Sequence, residues 1–294
     1  MRNDVIQNIG FGCVSLSALS SLKEALKVLD TAFDCGIRWF DTAPLYGNGY
    51  SEVILGKFLR EKRKYISLST KFGLNSDRTI RIPAVLALRG NYLKKKIAPP
   101  PKRAATVDTN HAPGSSSIRY RKIDRAEIET SFITSLRMLK TEYINNFLLH
   151  EAIPSFLTDE ALNYVLNLKQ EGKILNLGIA ANSENIAGCD VDSWDILQYE
   201  NGRLFNSDYL LKRFPGKLHV YHSVLKNLKN TALTDAQLDE MAALLLLNVI
   251  KKNPSGKVLF ASTKYQTIIN NLAGIEKYGN LTLAEIKLMI DALS

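Results

Sequence analysis

The chain alternates short apolar runs with longer amphipathic segments, and this alternation limits the folds open to it more than any other feature. Apolar runs of strand length bounded by turn residues are typical of buried β-strands. They occur eight times, at residues 9–14, 37–40, 65–70, 143–149, 174–180, 194–198, 218–225 and 258–262. Apolar residues at helical spacing, several of them after a capping residue, fill the segments 21–36, 51–60, 124–139, 159–171, 183–187, 234–250, 266–278 and 282–293.

Strands that alternate with helices pair in parallel, because each helix carries the chain back to the edge where the next strand starts. Eight such units predict an α/β fold of the (β/α)8 class, the TIM barrel. The 294 residues suffice for one large α/β domain but not for two, so we predict a single domain over residues 1–294.

Polar residues end or follow the apolar runs of three neighbouring predicted strands. Asp41 follows the second run, Lys71 follows the third and His150 follows the fourth. Tyr46 lies in the Pro- and Gly-containing loop after Asp41. Active sites of parallel barrels lie at the C-terminal ends of the strands. These four side chains are therefore expected to share one rim of the barrel.

A tyrosine, a lysine and a carboxylate held together suit proton transfer. A free phenol titrates near pH ~10, so it is a weak proton donor at neutral pH. A neighbouring ammonium favours the phenolate, and a carboxylate can hold that ammonium in place, so the cluster is predicted to lower the pKa of Tyr46. Each of these residues, taken singly, also has an ordinary structural interpretation. Asp41 could be a turn residue, Tyr46 an aromatic residue of a loop, and Lys71 a solvated residue at the end of a strand.

Three short runs resemble motifs of the aldo-keto reductase family, which carries them after its second, third and fourth barrel strands. Here they read DTAPLYG at 41–47, STK at 69–71 and LLH at 148–150. The resemblance implies a nicotinamide-dependent reductase of a small-molecule carbonyl substrate, an aldehyde or ketone. It implies that Tyr46 is the general acid and that His150 orients the carbonyl oxygen. Lys71, braced by Asp41, would assist the proton transfer.

The resemblance extends to the nicotinamide side of a cofactor site. Gln198 matches a family glutamine that binds the nicotinamide amide. The family's Ser-Asn pair after strand five is replaced by Ala180 and Ala181, with Asn182 one position later as a candidate substitute. The run HSVL at 222–225 resembles the family's YSPL. It implies that His222, or alternatively Tyr221, stacks on the nicotinamide ring and that Ser223 and Leu225 contact the pyrophosphate. Gly12 is a further candidate, because a glycine at the end of the first strand lets the backbone approach a ligand closely, and Asp41 is included among the candidate cofactor residues.

The segment after the last predicted strand resembles the part of the family that binds the adenosine phosphate. A helix N-terminus offers free N–H groups to an anion. The implied cofactor residues are Ser262, Thr263, Lys264, Thr267, Asn270 and Asn271. Thr267 stands where the family often has an arginine for the 2′-phosphate, and Lys264 could supply that charge. The sequence therefore favours NADPH over NADH.

Residues 74–123 form a long insertion after the third strand. The part from 81 to 122 carries ten lysines and arginines against one aspartate, which equals the formal net charge of +9 of the whole chain. Its composition predicts a flexible loop. Three roles stay open: a solvated excursion, a basic lid over the barrel mouth, and a site for an anionic macromolecule. Nucleic acid is disfavoured, because the segment lacks the interleaved aromatics of a stacking platform.

Two other functions compete with carbonyl reduction. Lys71 could form a Schiff base, as in barrel aldolases. Alternatively, the barrel could be a redox-sensing or partner-binding scaffold. This alternative is favoured by the replacement of family residues by Ala180 and Ala181 and by Asn145 in place of the family's aspartate.

Cysteine usage and the first residues bear on the compartment. Cys13, Cys35 and Cys189 are an odd number without CxxC spacing, which disfavours a disulfide framework and a metal site. Residues 1–10 lack the basic and apolar regions of a secretory signal. No apolar run approaches the ~18 residues of a membrane span. Together these features predict a protein of the reducing cytoplasm.

Overall fold

The computed structural model describes residues 5–74, 122–202, 205, 207–228 and 232–293. Its eight strands form one closed parallel barrel in chain order, in which β8 pairs with β1. The strands are β1 (Ile9–Gly12), β2 (Trp39–Asp41), β3 (Ser67–Phe72), β4 (Ile144–His150), β5 (Ile174–Ala180), β6 (Ile196–Glu200), β7 (Leu218–His222) and β8 (Lys257–Phe260). The (β/α)8 prediction is confirmed. The predicted insertion, apart from its ends, lies outside the described residues.

The helices of the described residues follow the strands as predicted, with one addition. They are α1 (Leu22–Asp34), α2 (Tyr50–Phe58), α3 (Arg125–Leu139), α4 (Asp159–Gln170), α5 (Ser183–Ala187), α6 (Tyr209–Arg213), α7 (Asp235–Lys252), α8 (Tyr265–Tyr278) and α9 (Leu283–Ala292). The short helix α6 was not predicted. Five residues show no clear helical period, and α6 lacks the side-chain cap that begins the equally short α5.

Side-chain caps begin most of the long helices. Ser21 accepts a hydrogen bond from the Glu24 N–H at the start of α1, and Asp124 accepts one from the Glu127 N–H at the start of α3. Thr234 forms a full capping box with Gln237 at the start of α7. These caps satisfy backbone donors that would otherwise be unpaired in the first helical turn.

Most predicted strands differ from the observed ones by one to three residues at an end, and two of these differences affect the functional residues. The apolar run at 218–225 leaves the sheet at His222, because Ser223 adopts a left-handed backbone with a φ of 62°. Strand β3 extends past the predicted end to Phe72, so Lys71 lies within the strand and not after it. The turn comes at Gly73, whose φ of 94° suits glycine.

The core has two layers. The larger one packs the outward faces of the strands against the helices, and a smaller cluster fills the barrel with Trp39, Leu148, Ala180, Ile196, Val220 and Leu259. Asn146 adds polar contacts inside the barrel, since its Nδ2 donates to Ser67 Oγ at 3.1 Å and to Ser69 Oγ at 3.0 Å. The interior is therefore filled, and a ligand can enter only at an end of the barrel.

The described residues bear on two further expectations. The three cysteines are free thiols, and Cys13 is buried. None of the described helices combines the length and the apolar character of a bilayer span.

Candidate active site

One cavity at the C-terminal end of the barrel brings the four predicted catalytic side chains together. It has a volume of about 390 Å³, and Asp41, Tyr46, Lys71 and His150 all line it. Asp41 ends β2, Lys71 lies in β3 and His150 ends β4, so three neighbouring parallel strands deliver three of the four groups.

Lys71 is at the centre of the cluster. Its Nζ donates to Asp41 Oδ2 at 2.6 Å, to the Thr42 carbonyl at 2.9 Å and to the Tyr46 hydroxyl oxygen at 3.3 Å. These bonds use all three N–H groups of an ammonium. Lys71 is only 1% exposed, so its position is fixed by these partners and not by solvent.

The environment of Lys71 favours the ammonium over the free amine. Burial by itself lowers the pKa of Lys71, but the charges of Asp41 and Tyr46 outweigh it, and the pKa lies above its ordinary value. A Schiff-base lysine needs an unprotonated amine, which burial beside another cation provides. The ion pair with Asp41 does the opposite and disfavours the aldolase alternative.

The prediction that the cluster lowers the pKa of Tyr46 is wrong for this structure. Burial has the largest effect and raises the phenol pKa, Lys71 lowers it, and Asp41 raises it again. Lys71 thus acts in the expected direction but is outweighed, because the phenolate would lose its hydration in the cavity. Tyr46 consequently keeps its proton at neutral pH.

His150 contributes a neutral imidazole. Burial, followed by the charges of Lys71 and His222, holds its pKa well below the ordinary range. Its ring meets the Tyr46 ring edge to face, with centroids 6.0 Å apart. Its buried Nδ1 has no hydrogen-bond partner among the residues that the structure describes. The phenol and the imidazole can therefore approach one ligand atom from two sides.

The loop that carries Tyr46 is shaped by its glycines. Gly47, Asn48 and Gly49 all have positive φ values, of 59°, 55° and 88°. The chain turns sharply here, and α2 starts at Tyr50. Glycine adopts this backbone freely and asparagine tolerates it, which explains the Gly-Asn-Gly run directly after Tyr46.

Two buried residues at the start of α2 anchor this loop, and the sequence analysis assigned them no role. Ser51 Oγ donates to the Cys13 carbonyl at 2.9 Å and lies 2.9 Å from Thr42 Oγ1. Glu52 Oε1 accepts a hydrogen bond from Thr70 Oγ1 at 2.7 Å, and Thr70 directly precedes Lys71 in β3. The only signal in the sequence is a Ser-Glu pair after the glycine loop.

Six of the implied cofactor residues line the same cavity: Gly12, Asp41, Gln198, His222, Ser223 and Leu225. Gln198 is buried, and its Oε1 has no hydrogen-bond partner among the described residues. His222 Nδ1 lies 2.9 Å from Ser223 Oγ. Burial, together with Lys71 and Lys226, lowers the pKa of His222 to about 4. His222 is thus neutral at physiological pH.

The other implied cofactor residues lie outside the cavity. Asn182 is exposed, and its Oδ1 accepts from the Asn185 N–H at 2.7 Å, so it caps helix α5. Ser262, Thr263, Lys264 and Thr267 lie between the end of β8 and the first turn of α8, with Asn270 and Asn271 in the following turn. Asn270 Nδ2 donates to Asp239 at 2.6 Å. Their role stays a prediction.

Two charged residues of the cavity were not singled out from the sequence. Glu151 directly follows His150, and Lys226 follows the HSVL run. Neither belongs to a motif, and a charged residue in a loop is ordinarily solvated. In the structure both residues line the cavity, next to backbone turns at Glu151 and Ser223 that have left-handed φ values.

Comparisons with a family model and with known sequences indicate the same family. The model of the Aldo/keto reductase family matches residues 8–199. The Bacillus subtilis oxidoreductase YqkF is 29% identical over 181 residues, which are 62% of this chain and 47% of that protein. The NADH-specific methylglyoxal reductase of Escherichia coli is 29% identical over 153 residues, 51% of this chain and 38% of that protein. The matches thus span less than half the length of these relatives.

Solved structures share the whole barrel. The holo form of the aldo-keto reductase AKR11C1 from Bacillus halodurans has a TM-score of 0.65 at 20% identity, covering 98% of this chain and 92% of that one. An aldo-keto reductase from Klebsiella pneumoniae, solved in complex with NADPH, has a TM-score of 0.63 at 17% identity, covering 97% and 90%. At sequence identities of 17–20%, this structural similarity supports a shared fold and not a shared activity.

Proposed function

The chain belongs to the aldo/keto reductase family, and we propose that it is an NAD(P)H-dependent oxidoreductase that reduces an aldehyde or ketone to an alcohol. The observation that carries this proposal is the contact of Lys71 Nζ with the Tyr46 hydroxyl, 3.3 Å long and inside the cavity that His150 also lines. It provides a proton donor, a cation beside it and a neutral hydrogen-bonding ring around one place where a carbonyl oxygen can sit.

The roles of the side chains follow from their protonation states. When bound, a nicotinamide cofactor supplies the hydride that the carbonyl carbon accepts. Tyr46 gives its proton to the carbonyl oxygen as the alkoxide develops, and Lys71 stabilises the phenolate that remains. Asp41 keeps Lys71 charged and oriented. His150, being neutral, can donate one N–H to the carbonyl oxygen without competing for the proton.

The cavity has features that fit a nicotinamide cofactor. The unpaired Oε1 of Gln198 can accept a hydrogen bond from the carboxamide N–H, and an unpaired buried acceptor is otherwise costly. His222, Ser223 and Leu225 line the same wall and would hold the ring and the phosphates. The Klebsiella pneumoniae enzyme of this fold was solved with NADPH. Lys264 would complement a 2′-phosphate, so NADPH is the favoured cofactor.

A second candidate is a catalytically weak, nucleotide-binding redox sensor or scaffold. It is favoured by the wall at the end of β5, where Ala180 and Ala181 have no polar side chain and Asn182 is engaged in capping α5. Gln198 would then be left to bind the carboxamide alone. A sensor of this kind binds the cofactor without turning over any carbonyl compound.

The variant Tyr46→Phe tests the proposal, with Tyr65→Phe as the matched control because Tyr65 is 55% exposed. NADPH binding would be followed by fluorescence titration, and NADPH oxidation with a panel of aldehydes and ketones. We expect Tyr46→Phe to lower kcat by at least about 100-fold while the Kd for NADPH stays within twofold. Undiminished turnover in Tyr46→Phe would refute the assignment. Tight NADPH binding without turnover by the unmodified protein would favour the scaffold.

A further inference from the structure

Glu151 is a charged residue beside the proposed proton donor for which the reaction above has no use. It follows His150 at the end of β4 and has a left-handed φ of 53°, which is strained for a residue with a side chain. Its N–H donates to the Ala180 carbonyl at 2.7 Å, which fixes this turn against the end of β5. The turn makes the Glu151 side chain part of the cavity wall.

The carboxyl group of Glu151 is not neutralised by its described surroundings. It forms no ion pair with any residue that the structure describes. Burial raises its pKa, the charge of Glu200 raises it further, and Lys71 lowers it. The charge of Glu200, at the end of β6, thus acts on the same carboxyl group. Glu151 therefore places an acidic group on the β4 side of the cavity.

The positive charges of the cavity are placed differently. Lys71 is compensated by Asp41, 2.6 Å away. Lys226 lies on the β7 side, where it lowers the pKa of His222 and where its Nζ lies 5.2 Å from the centroid of the Phe205 ring. It is not among the groups that influence the pKa of Glu151. The cavity therefore has a basic side, next to the proposed phosphate contacts, and an acidic side next to His150.

We propose that Glu151, supported by Glu200, selects substrates by charge, so that the site accepts carbonyl compounds bearing a hydroxyl or ammonium group near the carbonyl and excludes carboxylates such as 2-oxo acids. The assignment of these compounds as substrates rests on the proposed function. The charge preference itself is a property of the cavity and can be measured without turnover. A hydroxyl or ammonium donor would satisfy the Glu151 oxygens, whereas a carboxylate would be repelled by two like charges in a partly desolvated space.

Two probes of one shape and opposite charge, benzamidine and benzoate, test the preference. Their Kd values would be measured calorimetrically on the full chain saturated with NADP⁺, first unmodified and then as Glu151→Gln. We expect the unmodified protein to bind benzoate about 100-fold more weakly than benzamidine. Unit charges ~6 Å apart at an effective dielectric of ~40 change the affinity about tenfold, upward for benzamidine and downward for benzoate. Glu151→Gln should bring the ratio of the two Kd values to within about threefold of one.

Two further variants separate the charge effect from a general disturbance. Glu200→Gln should reduce the ratio by a smaller factor, because Glu200 is not among the residues that line the cavity. Glu160→Gln, on the exposed surface of α4, should leave the ratio unchanged. A ratio near one in the unmodified protein, an unchanged ratio in Glu151→Gln, or binding of neither probe would overturn the proposal.

The same proteins, prepared without NADP⁺, would be assayed for NADPH oxidation with 3-(hydroxymethyl)benzaldehyde and 3-carboxybenzaldehyde. This assay distinguishes the two proposals. A charge preference in binding without turnover of either aldehyde would refute carbonyl reduction and support charge selection. Turnover of both aldehydes at equal kcat/KM, together with a binding ratio near one, would leave carbonyl reduction intact and refute charge selection.

Discussion

Lys71 and Asp41 form a buried ion pair, with Lys71 Nζ 2.6 Å from Asp41 Oδ2 and the two side chains 1% and 3% exposed. Removing one partner of such a pair leaves an uncompensated charge in the interior, which is far more costly than losing a surface pair. The same contact keeps Lys71 charged beside the Tyr46 hydroxyl. Stability and the proposed reaction thus depend on one contact.

The variant Asp41→Asn should therefore lower both the stability of the fold and the rate of the proposed reaction. We expect a loss of roughly 3–5 kcal/mol in the free energy of unfolding and a fall of at least about 100-fold in kcat for carbonyl reduction. Urea titration and NADPH oxidation would measure the two effects. The matched control is Asp30→Asn, which breaks the partly exposed pair with Lys62 and should cost less than ~1 kcal/mol. Equal costs for the two variants would show that burial does not strengthen the Lys71–Asp41 pair.

The loop after Tyr46 allows a test of backbone placement. Gly47 has a φ of 59°, and a methyl group on it would overlap the Ser17 side chain, whereas Gly172 has a φ of 70° with nothing within 4 Å. Alanine at either position should cost ~1–2 kcal/mol of stability through the left-handed backbone, and the overlap with Ser17 should add to this cost at Gly47. Only Gly47→Ala should also displace Tyr46, lowering kcat for carbonyl reduction by about tenfold or more. If Gly172→Ala impaired turnover as much, the effect would reflect stability and not the position of Tyr46.

Glu52 makes stability depend on pH. Burial, opposed by the bond from Thr70, raises the pKa of Glu52 from 4.5 to about 7. As the pH rises above 4.5, the unfolded chain releases the proton of Glu52 while the folded chain still holds it. The free energy of unfolding therefore falls progressively up to about pH 7 and stays lower by a constant amount above it. Relative to Glu52→Gln, the unmodified protein should lose roughly 3 kcal/mol between pH ~4.5 and ~7.5.

The measurement is a set of urea titrations of both proteins across this range. The side-chain amide of the Glu52→Gln variant keeps an acceptor for the Thr70 hydroxyl but cannot ionise, so the difference between the two curves isolates the proton. A difference that stays constant from acid to neutral pH would mean that Glu52 is not protonated in the folded state.

The site residues that could be predicted from the sequence are those whose position follows from the periodic pattern. Asp41 and His150 end apolar runs, and parallel strands bring their C-terminal ends together, so their convergence with Lys71 follows from the fold class. The net pKa of Tyr46 could not be predicted in the same way, because burial decides its sign and no local pattern encodes burial. The sequence also could not separate two uses of Asn182, since asparagine suits both a helix cap and a ligand contact.

Gln198 and Asn182 should therefore differ in their effect on cofactor binding. Gln198→Leu removes the buried acceptor of the cavity and should weaken NADPH binding by at least about tenfold in a fluorescence titration. Asn182→Ala should cost ~1 kcal/mol of stability through the lost cap of α5 and leave the Kd within twofold. A large loss of affinity in Asn182→Ala would instead show that this residue replaces the missing Ser-Asn clamp.

His219 is predicted to make the fold sensitive to acid. Its Nε2 donates to the Phe214 carbonyl at 2.9 Å, because a carbonyl can only accept, so its Nδ1 is the acceptor for the Tyr199 hydroxyl at 2.7 Å. The ring is neutral in this arrangement, and burial lowers its pKa although the bond to Phe214 raises it. Protonation would place a donor on Nδ1 and break the contact with Tyr199.

The unfolded chain therefore binds the proton of His219 at a higher pH than the folded chain. Stability from this residue is fully present above the ordinary histidine pKa of ~6.5 and is lost as the pH falls below it, in the opposite direction to the effect of Glu52. Urea titrations at pH ~7.5 and ~5 should show the unmodified protein losing more stability on acidification than His219→Gln, whose amide cannot ionise. His222→Gln separates this effect from the second histidine of β7, whose pKa is also low. If acidification cost His219→Gln as much as the unmodified protein, the Tyr199–His219 contact would not be sensitive to pH.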